Sequence, residues 1–216
     1  MNDRRNFIQA KMGGADLAGR DLCQANFAGA ILTGADLTGA DLTGACLVRA
    51  NLAGATLTGA KLTGADLECA DLEGAQLEGA VLTNARIHSA TLCTAHLVGA
   101  VLVGADLTES NLDEANLADA DLTTANLSHA TFVRANLRRA NLSLANLRGT
   151  DFEDASLVLS RLRGAQLQWT SFEGADLQQA DFTGTDLSKA YTTGANWFNT
   201  VQPDGTLWSD PPDRQF

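Results

Sequence analysis

Residues 35–47 read ADLTGADLTGACL, a five-residue phrase stated twice and begun a third time. A period of five fits no regular element. On a continuous α-helix, positions five apart differ by about 140° once whole turns are removed, so the leucines would spread around every side. On a continuous strand, an odd spacing throws alternate leucines onto opposite faces. One path gives a single core: the chain runs extended for a few residues, setting Ala and Leu on the same side, then turns and repeats.

The phrase extends far beyond residue 47. Leu, Phe, Met or Ile occupies every fifth position, the centre of each unit, from Phe7 to Leu187. Ala stands two residues before the centre almost throughout, relieved by Arg20, Ser110, Thr150, Ser160, Thr170 and Thr185. Asp or Asn most often stands directly before the centre. Gly is frequent two residues after it, and only Gly13 and Gly205 of the 20 glycines lie elsewhere. Gly is the residue a turn with positive φ accepts at little steric cost. The register holds without insertion from Arg5 to about Asn199. This divides the chain into an extension at 1–4, a repeat region at 5–199 and a tail at 200–216. Stacked turns expose an apolar cross-section at each end, so the tail is expected to act as a cap, with Trp208 and Phe216 folded over the last turn.

Units such as ADLTG, ANLAG, ADLEC, ANLRR and ADLQQ resemble those of the pentapeptide repeat family over about nine tenths of the chain. The resemblance implies an all-β fold, a right-handed quadrilateral parallel β-helix with four pentapeptides per coil and about ten uninterrupted coils. In such a solenoid, residues twenty apart would stack on one face. The ending QPDGTLWSD and the start RRNF are similar to those of cyanobacterial relatives.

A formal charge of −11 argues against direct nucleic-acid binding, which normally uses a basic patch. No apolar run is long enough to span a bilayer, and the start MNDRRNF has no apolar core of a signal peptide, so no membrane partner and a cytoplasmic location are expected. Cys23, Cys46, Cys69 and Cys93 form no CxxC pair and read as isolated thiols. His88, His96 and His129 lie apart, and the recurring carboxylates follow from the repeat. The chain is therefore expected to have no catalytic site, metal or cofactor.

The exterior holds three groups that depart from small polar residues. Arg134, Arg138, Arg139, Leu144, Arg148, Leu159, Arg161, Arg163 and Trp169 occupy positions where the early repeats place Thr, Gly or Asp. They are candidate protein-binding residues, since exposed Arg and Trp favour interface anchors, and Arg148 is expected near the Trp169 ring. Val81, Val98, Val101 and Val103 form a second candidate patch. Asp106, Glu109, Asp113, Glu114 and Asp119 form an acidic girdle. The expected function is a non-enzymatic scaffold or regulator that binds another protein through the surface of a rigid β-helical rod, as a monomer or an end-to-end homodimer. The alternative is an acidic DNA mimic that binds DNA gyrase or topoisomerase. It follows from a resemblance to the quinolone-resistance branch of the family, from which this sequence departs in having no interrupting loops and no apolar C-terminal helix.

Overall fold

A computed structural model describes residues 5–208. The extension at 1–4 and positions 209–216, including Phe216 of the expected cap, lie outside the described residues.

Each five-residue unit has one local form. The residue before the centre is the one that bridges to the neighbouring levels, the centre points inward, and the next two residues turn. The Asp or Asn before the centre has a structural task. Its Oδ1 accepts the backbone N–H two residues on: Thr38 to Asp36 at 2.9 Å, Thr43 to Asp41 at 3.0 Å, Ala53 to Asn51 at 3.0 Å. This is an Asx turn, which satisfies a donor that the chain reversal would otherwise leave unpaired. The second turn residue then adopts a left-handed conformation, as at Gly39 with φ of 61°.

The bridges have a constant register. Asn6 pairs with Asn26, Lys11 with Ile31, Val81 with Val101 and Asn141 with Arg161, all parallel and twenty residues apart. The centre's N–H donates up to the next level, as Phe7 does to Asn26 O at 2.7 Å, and the bridging residue's N–H donates down, as Asn26 does to Arg5 O at 2.8 Å. The pattern slips once. Asp186 makes no bridge, and the Trp169 N–H reaches Lys189 O at 2.9 Å, one residue beyond the regular acceptor.

The expected all-β, right-handed quadrilateral parallel β-helix is corrected by these observations. Among the described residues there is no helix, no strand longer than one bridging residue, and hence no sheet or barrel. The backbone is a coil-dominated succession of turns. The reason is local: a two-residue turn in every five, ending in a left-handed residue, leaves one position per unit free to pair, whereas a strand needs three or more.

Apolar burial stabilises this backbone. The Ala and Leu positions from Leu22 to Phe182 are buried almost without exception. Each leucine withdrawn from water contributes roughly 1.5–3 kcal/mol before the entropy of ordering is subtracted. Phe132, Phe152 and Phe172 stack at 5.0 and 5.5 Å, and the aromatic column continues through Phe182 and Trp197 to Trp208, which lies 4.6 Å from Trp197. At the other end Phe7, Met12 and Leu17 are only half-buried. Where Thr replaces Ala inside, its hydroxyl finds a carbonyl: Thr150 donates to Leu127 O at 2.8 Å and Thr170 to Leu147 O at 2.6 Å.

The Asx turns make stability pH-dependent. Hydrogen bonds from the Thr38, Thr43 and Ser188 side chains, followed by those from their backbones, hold Asp36, Asp41 and Asp186 below the ordinary aspartate value of 3.8. A carboxylate whose folded pKa is depressed stabilises the protein above its unfolded pKa and loses that contribution as pH falls through the folded value. The urea midpoint should therefore be flat near neutrality and decline below about pH 4. Asp36→Asn with Asp41→Asn keeps the Oδ1 acceptors but removes two titrations. This variant should match wild type at pH 7 and show a shallower acid decline. An unchanged acid limb would show that these turns do not carry the dependence.

Candidate protein-interaction surface

The twenty-residue register sorts the nine Arg, Leu and Trp candidates by side. Arg138, Arg139, Leu144, Leu159, Arg161 and Arg163 fall in two adjacent levels, 138–144 and 158–164, on one side and its two flanking corners. Arg134 stands at the preceding corner. Arg148 and Trp169 stand half a register away from Arg139 and Leu159, on a different side. The nine therefore do not form one patch. Leu144, Leu159 and Trp169 are 60%, 37% and 55% exposed. All three sit at turn positions with φ of 60°, 62° and 65°. A side chain there costs about 1–2 kcal/mol relative to the right-handed region, a strain that Gly would avoid.

Three of the arginines are already engaged. Arg139 grips Asp119 with two bonds of 2.6 Å, Arg134 reaches Glu114 at 2.6 Å, and Arg163 reaches Asp181 at 2.6 Å. The Glu114 hydrogen bond and charge raise the pKa of Arg134, and those of Asp119 do the same for Arg139. The Arg139 hydrogen bond holds Asp119 below the ordinary carboxylate range. Burial pushes Asp181 up, but hydrogen bonds from Thr183 and Arg163 outweigh it and leave its pKa lowered. Arg138, Arg148 and Arg161 make no ion pair among the described residues.

The acidic girdle is correspondingly less bare than its composition suggests. Glu114 and Asp119 each carry a cation from the next level. Asp106 accepts bonds from Thr108 and Asn126, Asp113 accepts the Val133 N–H at 2.9 Å, and Glu109 lies 3.5 Å from the Ser89 hydroxyl. Val81 bridges Val101 directly, and Val98 and Val103 flank it, all half-buried. This Val patch shares its side with the Arg138–Arg163 group, separated from it by the level of Asp119 and Asp121.

Other candidates resolve simply. The Trp169 ring is covered by Lys189, whose Nζ lies 5.5 Å from its centroid, in the place expected for Arg148. Lys189 follows Trp169 by twenty residues, so the register could have identified it. The four cysteines are free thiols, and burial pushes the Cys93 thiol up, away from reactivity. His88 meets Ser89 at 3.1 Å and His96 lies 3.6 Å from Glu78, so the histidines remain apart. A mainly apolar cleft of ≈ 260 Å³ lies between Leu187, Ser188, Gln202, Pro203 and Trp208, which the sequence did not signal. No helix among the described residues is long and apolar enough to cross a membrane.

A chain of near-identical turns, with an interior held mostly to small residues and Leu or Phe and most of its variation outside, defines a repeat protein. The chain belongs to the pentapeptide repeat family: profiles described as "Pentapeptide repeats (8 copies)" match residues 6–44, 45–84, 60–99 and 85–123, and "Pentapeptide repeat region" matches 117–197. It is similar in structure to HetL, a pentapeptide repeat protein involved in heterocyst differentiation regulation from the cyanobacterium Nostoc sp. strain PCC 7120. The two are 32% identical with a TM-score of 0.55, covering 94% of this chain and 92% of that one. Trypsin-treated QnrB1, a plasmid-mediated fluoroquinolone resistance protein, matches at 18% identity and a TM-score of 0.38, covering 86% of this chain and 88% of that one. A pentapeptide repeat protein of the Arabidopsis thaliana thylakoid lumen matches at 32% identity and a TM-score of 0.25, over 51% of this chain and 70% of that one. No curated protein matches the chain.

The expected mode of action is corrected along with the fold. Both functional readings required a rigid β-helical rod, one as a scaffold surface and one as a duplex-like acidic mimic. The described residues contain no sheet from which to build such a rod, and two acids of the girdle are paired with arginine.

Proposed function

We propose that this protein is a non-enzymatic regulator that works by contact with another protein. The observation that carries the reading is its likeness to HetL, a protein involved in differentiation regulation, over nearly the whole of both chains. The contact surface in this reading is the side bounded by Leu159 and Leu144. There two exposed leucines flank arginines, the residue types that serve as interface anchors. A cytoplasmic setting belongs to the same proposal, and the four free thiols fit it. A monomer or an end-to-end pair through the half-buried Phe7, Met12 and Leu17 belongs to the same proposal. We also take the described part of the tail, 200–208, as a cap, supported by the Trp208 contact with Trp197.

A photo-crosslinking amino acid in place of Leu144, with one in place of Glu73 as the control, tests the reading in the native cells. A discrete protein adduct from position 144 and none from position 73 is expected. No adduct from either position overturns protein binding, and an adduct from 73 alone overturns the choice of surface.

A further inference from the structure

Residues 138–144 (RRANLSL) and 158–164 (VLSRLRG) contain four arginines and no carboxylate, in a chain whose net charge is −11. Carboxylates border this window on the neighbouring levels: Asp119 and Asp121 below, Asp181 above. They do not neutralise it fully. Asp119 is taken by Arg139, and Asp181 already accepts from Arg163, from the Thr183 N–H and from the Thr183 hydroxyl. Arg161 bridges Asn141 and Asp181 through its backbone, yet its guanidinium is left exposed and unpaired among the described residues. Arg138 stands between Ala118 and Val158 in the register; its charge helps hold Asp119 below the ordinary carboxylate range, but it makes no ion pair among the described residues. The two free cations thus lie on adjacent levels, which strand-like spacing sets about 5 Å apart. Leu159 and Leu144 rise at either edge.

Resting on the protein-binding reading above, we propose that this side receives an acidic segment of the partner protein, with carboxylates on Arg138 and Arg161 and apolar side chains against Leu144 and Leu159. Charge complementarity carries the choice. The window is a cationic part of an acidic molecule, so it steers an anionic partner and discriminates against a basic one. A nucleic acid fits less well. Beyond the two levels, Asp119, Asp121 and Asp181 would face successive phosphates and repel them. The exposed leucines would also have no counterpart on a phosphate backbone.

The test uses the full chain and four fluorescent probes: a twelve-residue peptide alternating Glu or Asp with Leu, the same peptide with Lys for the acids, the same with Ser for Leu, and a twelve-nucleotide single-stranded DNA. Anisotropy titrations should show the acidic apolar peptide binding most tightly and weakening as salt rises. Arg138→Glu with Arg161→Glu should weaken it by on the order of tenfold or more. Arg49→Glu, an exposed arginine outside the window, should leave it within about twofold. Leu144→Ser with Leu159→Ser should weaken it while keeping its salt dependence. All of these side chains are exposed, and circular dichroism checks that the variants fold.

Equal or tighter binding of the lysine peptide or the DNA overturns the proposal, as does a loss in Arg49→Glu equal to that in the double variant. Mapping the adduct formed at position 144 separates the two levels of inference. A partner segment rich in lysine overturns the acidic assignment and leaves protein binding standing, whereas the absence of any adduct removes both.

Discussion

Leu107→Asp is expected to abolish the cooperative unfolding transition of the middle of the chain. Leu107 is fully buried, its N–H donates to Asn126 O at 2.8 Å, and its carbonyl accepts from both the N–H and the hydroxyl of Ser110. Removing the leucine volume alone costs about 2–5 kcal/mol. An ionised carboxylate in its place has no cation to meet inside the column, and its desolvation adds several kcal/mol. Together these losses are comparable with the whole stability of an ordinary domain, about 5–15 kcal/mol. Because each level bonds only to those directly above and below it, the damage should be local. Guanidinium unfolding followed by circular dichroism should lose its single steep transition, and limited proteolysis should cut near residue 107 while sparing the flanking levels. A wild-type midpoint and an uncut middle would mean that the interior does not run through this position.

Phe152→Ala should produce the next largest effect, a loss of about 3–5 kcal/mol. Its ring is buried between Phe132 at 5.0 Å and Phe172 at 5.5 Å, so truncation opens a cavity and removes two stacked contacts at once. Each aromatic pair adds roughly 0.5–1.5 kcal/mol beyond area burial. Leucine occupies the same register position at Leu72, Leu92 and Leu112. Phe152→Leu should therefore recover most of the loss, with a residual cost under about 1.5 kcal/mol if the column repacks. A double-mutant cycle with Phe172→Leu measures the stacking part directly. Additive losses would show that the rings contribute volume and no specific pairing.

How far the sequence could be read differs by level. The core was legible residue by residue, because Ala and Leu at fixed places in a period of five leave the chain one way to make a single interior. The turns were legible too, although the role of Asp and Asn before each centre emerged only from their bonds to Thr38, Thr43 and Ala53. The expectation of strands failed. Spacing shows where a chain reverses, but the number of residues left to pair between reversals depends on the backbone angles within the turn.

The surface was legible only in part. Nine unusual side chains stood out, but their register places six of them together and sets Trp169 and Arg148 on another side. Pairing was hidden as well: Arg163 takes Asp181 although Arg161 is the residue that bridges it.

By itself, the order of residues determined the family, the unbroken repeat and the identity of the interior, because period and side-chain type are local properties that no distant contact can change. Only the tertiary structure decided that one residue per unit pairs, which arginines are spent on carboxylates, and which are free. Those outcomes depend on what stands twenty residues away, where a guanidinium chooses among several acids by distance and competition.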